Sequence, residues 1–219
     1  MTKPSIAVIL AGCGHRDGAE IHEATLTLWA IHKHGADFQC YAPNKNQHHV
    51  LNHLNGEEMP ETRNVLVEAA RIARGKVKDI ALFKASDHDA LIIPGGFGAA
   101  KNLCDFAFAG AQCRVDPGVA AAVQAMHSLG KPLGALCIAP VILARLLPGL
   151  KLTIGQDHDT AALLTAMGAV HQQTNHGEIT VDAVHKVVTT PCYMLDARVD
   201  QIGEGAEKLV TALLAMLAA

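Results

Sequence analysis

Aromatic residues are scarce in this chain: Phe, Trp and Tyr together make 4% of its 219 residues. A core with so few rings has to be assembled from Ala, Val, Leu and Ile, and 50% of the residues are hydrophobic. Long apolar runs are missing too. None reaches the roughly 18–20 residues that a membrane span needs, so no membrane partner is expected. Charge of one sign is not in excess. Eighteen Lys and Arg stand against 21 Asp and Glu, a net charge of −3, with neither a basic stripe for nucleic acid nor an acidic tail. The six cysteines include no C-x-x-C pair, which argues against a disulfide framework or a structural zinc site. Reduced thiols, and an opening Met1-Thr2-Lys3-Pro4 without a signal-peptide pattern, point to the cytoplasm.

The length suits one α/β domain spanning 1–219. Ser5 to Ala11 is a continuous apolar run, as expected of a parallel strand covered on both faces. A helix follows from about Glu20 to Lys33, with Gly35 as its C-terminal stop. Further strands are expected over Asp37–Tyr41, Ile80–Phe83, Ala90–Ile93, Leu152–Ile154, Ala169–Gln173, Ile179–Val181 and Val187–Thr190, the last two as a possible hairpin, and a short apolar run opened by Lys131-Pro132 ends on Cys137 at a strand-to-helix turn. Helices are expected over Glu61–Arg74, Pro117–Ser128, Ala139–Leu147, Thr160–Met167 and Gln201–Leu217, and a turn or short helix over His48–Leu54. Strands alternating with helices imply a mainly parallel sheet between two helical layers. Ligands bind such sheets beyond the carboxyl ends of the strands, where the winding reverses.

Four loops begin at strand carboxyl ends. The first carries Cys13, His15, Asp17 and Glu20, with His22 and Glu23 in the helix behind it. The second is Pro94-Gly95-Gly96-Phe97-Gly98, whose backbone can approach a ligand closely. The third holds Cys137, and the fourth brings Cys192 and Tyr193.

Cofactor patterns do not fit. Gly12-x-Gly14-x-x-x-Gly18 is one residue too long for a dinucleotide fingerprint, and the second strand ends in Tyr41-Ala42-Pro43 without an acid for a ribose. Ala99-Ala100-Lys101-Asn102 lacks the Gly-Lys-Ser/Thr ending of a phosphate loop. The 13 histidines are dispersed, and His48, His49 and His53 read as solvated side chains, so no metal is expected.

Cys137 is the chemically informative residue. A nucleophile elbow needs small residues two before and two after the reactive side chain, and Ala135 and Ala139 hold those places. Pro140 suits a first helical turn, and a thiol at a helix N-terminus is drawn toward thiolate. The alternative is a buried cysteine acting as a small hydrophobe.

Three segments together resemble the ElbB family of glyoxalases, also described as isoprenoid-biosynthesis proteins with an amidotransferase-like domain. They are Gly12-Cys13-Gly14 with Asp17 to Glu23, Ile92 to Leu103, and Cys137-Ile138-Ala139-Pro140. That family lies in the PfpI branch of the class I glutamine amidotransferase-like superfamily, and the resemblance runs from Ser5 nearly to the C-terminus. It implies a flavodoxin-like three-layer α/β/α sandwich, a homodimer, and a glutamate beside the cysteine. Counted back from Gly35 that glutamate is Glu23, with Glu20 in reserve. Gly95 and Gly96, with the N–H of Ile138, match the positions that hold an oxyanion. Peptidase-like relatives carry histidine after the nucleophile, where this chain has Ile138, so His171, His15 and His22 are the histidines left to consider. Cys13 is a reserve thiol.

The expected activity is glutathione-independent conversion of glyoxal, a small reactive carbonyl, to glycolate without any cofactor. The competing readings are a cysteine-based redox or carbonyl-stress sensor, a non-catalytic amidotransferase-like partner protein, and deglycation.

Overall fold

A computed structural model describes residues 3–218. The chain runs β1 (Ser5–Ile9), α1 (Ile21–Lys33), β2 (Asp37–Ala42), α2 (Val65–Ile72), β3 (Val77–Asp79) and β4 (Ala90–Ile93). It continues with α3 (Phe106–Ala109), α4 (Pro117–Ser128), β5 (Leu133–Leu136), α5 (Pro140–Leu146), β6 (Lys151–Leu152) and α6 (His158–Ala166). The last elements are β7 (Val170–His171), β8 (Thr180–Asp182), β9 (Val187–Thr190) and α7 (Val199–Ala218).

Seven strands form one sheet in the order β3-β2-β1-β4-β5-β9-β8. All neighbours are parallel except β8, which pairs antiparallel with β9, with Val181 opposite Val188. The outward winding from β1 to β3 and the opposite winding from β4 to β9 meet between β1 and β4. The crevice at their carboxyl ends is therefore the switch point of the fold. Helices α1, α2 and α7 form one layer, and α4 with α5 forms the other. The core is aliphatic: Ile6, Ile9, Leu91, Ile92, Ile93 and Leu133 are fully buried. This is a flavodoxin-like three-layer α/β/α sandwich.

Several elements differ from the sequence reading. Helix α2 begins at Val65 rather than Glu61, because the Asn64 side chain accepts from the N–H groups of Leu66 and Val67 and caps the helix there. Ile80–Phe83 is not a strand. Asp79 Oδ1 accepts from Ala81 N–H at 2.9 Å, and the chain turns into a 3-10 helix over Ile80–Leu82 just after the real strand β3. Strands β6 and β7 are two residues each and pair only with one another, outside the main sheet. His48–Leu54 is irregular, with Leu51 bridged to Glu58.

Candidate active site

Helix α1 starts behind β1, and Glu20 caps it: Glu20 Oε2 accepts from Glu23 N–H at 2.7 Å. That contact occupies one oxygen of the reserve glutamate. Its side chain is also at the wall of the main cavity.

Glu23, one turn in, is completely buried. Its Oε2 accepts from Gly95 N–H at 2.9 Å, its Oε1 accepts more weakly from Tyr193 N–H at 3.4 Å, and the carboxyl is hydrogen-bonded to the Cys137 thiol. Burial, reinforced by the charge of Glu20, pushes the Glu23 carboxyl up to about 8, while the hydrogen bonds pull the other way.

Cys137 follows β5 directly at φ +58°, a left-handed conformation that a residue with a side chain adopts only under strain. Its N–H is tied to Thr190 O at 2.9 Å, which fixes the turn against β9. The residue is 7% exposed and lines a cavity of about 390 Å³. Burial pushes the thiol well above its ordinary range and the charge of Glu23 adds to this, whereas hydrogen bonds from the N–H groups of Gly96 and Ile138 oppose it. Desolvation therefore outweighs the helix N-terminus that the sequence reading emphasised. At α5 that helix is only seven residues long.

Glycine is required beside the thiol. A Cβ on Gly95 would stand 2.5 Å from Cys137 Cβ and 2.7 Å from Glu23 Oε2. Gly96, at φ +92°, would drive a Cβ into the Glu20 backbone nitrogen. The two glycines do different work. Gly95 N–H is spent on Glu23 and is not free for an oxyanion, which corrects the expectation for that residue, while Gly96 and Ile138 point their N–H groups at sulfur.

The other candidates lie apart. His171 sits on β7, its Nε2 facing Ile154 N–H at 3.4 Å, and does not line the cavity. Cys13 also lies outside the lining, and burial followed by the charge of Glu68 pushes its thiol up. His15 does line the cavity. His22 Nδ1 meets the Tyr193 hydroxyl at 2.8 Å. Cys192 is buried at φ +44°, and burial, with the charges of Glu23 and Cys137, pushes its thiol well up.

The sequence reading missed the rest of the wall. Phe97, Phe106, Asp157, Thr160 and Met194 come from four separate segments. Only Phe97, inside the glycine loop, carried a local signal. Among the described residues no Lys or Arg lines the cavity, and no group of three His, Cys, Asp or Glu is placed to hold a metal ion.

Sheet order, elbow and buried acid define the class: a DJ-1/PfpI-type α/β sandwich with a cysteine at the strand-to-helix elbow beside a buried acid. No family model matches the chain. It is 43% identical over 219 residues to the human "Glutamine amidotransferase-like class 1 domain-containing protein 3, mitochondrial", covering 95% of this chain and 82% of that protein. The crystal structure of an isoprenoid biosynthesis protein with amidotransferase-like domain from Ehrlichia chaffeensis superposes with a TM-score of 0.90 at 37% identity, over 96% of this chain and 99% of that one. Glyoxalase III from Candida albicans shares the fold, at a TM-score of 0.63 and 14% identity over 97% of each chain. The chain belongs to the ElbB-type family of isoprenoid-biosynthesis proteins with a class 1 glutamine amidotransferase-like domain. No helix among the described residues is long and apolar enough to cross a membrane.

Proposed function

We propose that this protein is a cofactor-independent enzyme that consumes a small reactive carbonyl, converting glyoxal to glycolate at Cys137. The observation that carries the reading is a strained, cavity-lining thiol hydrogen-bonded to a buried carboxyl. The glyoxalase III named above, built on the same fold, lends it support.

The thiol adds to one carbonyl: the C–S bond forms, and its proton reaches the new alkoxide through Glu23. The resulting hemithioacetal loses its carbon-bound proton to the Glu23 carboxylate. Return of that proton to the neighbouring carbon, through an enediol, gives a thioester. Water then cleaves the thioester, releasing glycolate and the thiol. The N–H groups of Gly96 and Ile138 are the candidates to hold the transient oxyanion, a contribution typically worth about 3–4 kcal/mol per donor.

A thiol and a carboxyl in contact titrate as a pair. With Glu23 near 8, the single negative charge that starts the reaction accumulates as pH rises through about 8. kcat/KM is expected to climb between pH 7 and 9. Cys137→Ser is expected to abolish glycolate formation. Glu23→Gln is expected to lower it by roughly 10²–10⁴-fold, the usual contribution of a general acid–base group. Full activity in the serine variant, followed by glyoxal loss and glycolate release, overturns the mechanism.

Turnover is favoured over a peroxide sensor at Cys137, because a thiol held so far up presents little thiolate to an oxidant. A homodimer in a reducing, cytoplasmic setting completes the proposal. The human relative is named mitochondrial, so fractionation of the native protein is the check on its compartment.

A further inference from the structure

We infer that Cys104 and Cys113 form a reversible dithiol–disulfide pair closed by a hydroperoxide, and that closing it pins the loop forming one wall of the Cys137 cavity. The backbone brings the two cysteines together. Asp105 N–H donates to Arg114 O at 3.1 Å and Asp116 N–H to Leu103 O at 2.8 Å, which sets Cys104 opposite Val115 in an antiparallel bridge. Cys113 lies two residues before Val115 and so faces the same side as Cys104. The two thiols are hydrogen-bonded to each other, and Cys104 Sγ also lies 3.2 Å from Ala99 O.

Their environments are unequal in the way that a redox pair needs. The hydrogen bond from Cys104 holds the Cys113 thiol below its ordinary range, and the Arg145 guanidinium acts in the same direction. Arg145 Nε is anchored on Cys113 O at 2.7 Å. Cys104 is pushed up and keeps its proton. Cys113 is thus the attacking sulfur.

With hydrogen peroxide as oxidant, the Cys113 thiolate breaks the O–O bond, becoming a sulfenic acid and releasing hydroxide. The Cys104 thiol then displaces the sulfenic oxygen as water, forming the S–S bond. In total, two thiols and one peroxide yield a disulfide and two waters.

Both sulfurs are buried, and between them in the chain runs a short loop whose Ala107, Phe108 and Ala109 are exposed. Phe106 and Ala107 of that loop line the cavity. A bond across its base therefore restricts how that wall opens.

Trypsin cleaves after Lys101 and Arg114, so both cysteines leave in one peptide, residues 102–114. The intact protein would be treated with hydrogen peroxide, alkylated with iodoacetamide in denaturant, digested and weighed. The expected peptide is unalkylated and two hydrogens lighter than its dithiol form, and dithiothreitol applied before alkylation returns it to the doubly alkylated form. The same product is expected from Cys137→Ser. Iodoacetamide labelling of Cys137 in the oxidised native protein is expected to slow at least threefold and to recover on reduction. A doubly alkylated 102–114 peptide after excess peroxide, sulfinate on either sulfur in place of the bond, dependence on Cys137, or an unchanged labelling rate would each overturn the proposal. None of these readouts requires glyoxal turnover, so the result stands apart from the proposed activity.

Discussion

Glu23 is a carboxyl cut off from water, held by two backbone amides and a thiol rather than by a cation. Its pKa links folding to pH. Below about 4.5 the group is protonated in both folded and unfolded chains. Between about 4.5 and 8 the unfolded chain ionises while the folded protein keeps its proton. The stability contributed by the neutral acid is therefore fully present at low pH and lost as pH rises through that window, by roughly 5 kcal/mol in total. Glu23→Gln has no proton to lose, so its stability relative to the native protein is expected to improve steadily from pH 5 to pH 8.5 in urea unfolding. A difference that does not change with pH would show that Glu23 is ionised in the folded state. At this scale the sequence was half legible. Cys137 announced itself by the small residues around it, but the opposite assignments of Gly95 and Gly96 depend on where α1 docks, which no local pattern records.

Among the elements, α2 shows how a side chain sets a boundary. Asn64 Oδ1 accepts from Leu66 N–H at 2.9 Å and Val67 N–H at 3.2 Å, satisfying amides that otherwise face the helix end without partners. Asn64→Ala is expected to cost about 1 kcal/mol, read as a lowered urea midpoint with unchanged slope. Glu61, Thr62 and Arg63 are polar, and Asn64 ahead of Val65-Leu66-Val67 is the capping residue that marks the start, four residues later than the expected Glu61. Strands β1, β4 and β5 were readable because burial on both faces makes them continuous apolar runs. Ile80–Phe83 has the same look, yet Asp79 diverts it into a 3-10 turn. Strands were expected over Leu152–Ile154 and Ala169–Gln173, and β6 and β7 do overlap those stretches, but each keeps only two residues of ladder.

For the molecule as a whole, the alternation of strands and helices disclosed the layered architecture, and the principle of strand ends disclosed which loops meet. The cavity was not legible in the same way, because its walls at Phe106, Asp157 and Met194 are assembled by tertiary packing alone. The packing also sorts the thiols. Cys13 is partly exposed and Cys137 opens onto the cavity, whereas Cys40, Cys104, Cys113 and Cys192 are buried. Native reduced protein given limiting iodoacetamide is expected to label at Cys13 and Cys137 first, the other four reacting fully only after denaturation. Early labelling of Cys40, buried and pushed up to about 12, would contradict this packing.

The two rims of the large sheet, β3 and β8, are each three residues long, and both end in aspartate. So little unpaired ladder is left that another chain has almost no template on which to anneal. Strand-by-strand annealing of another copy onto the large sheet is therefore disfavoured at both of its edges.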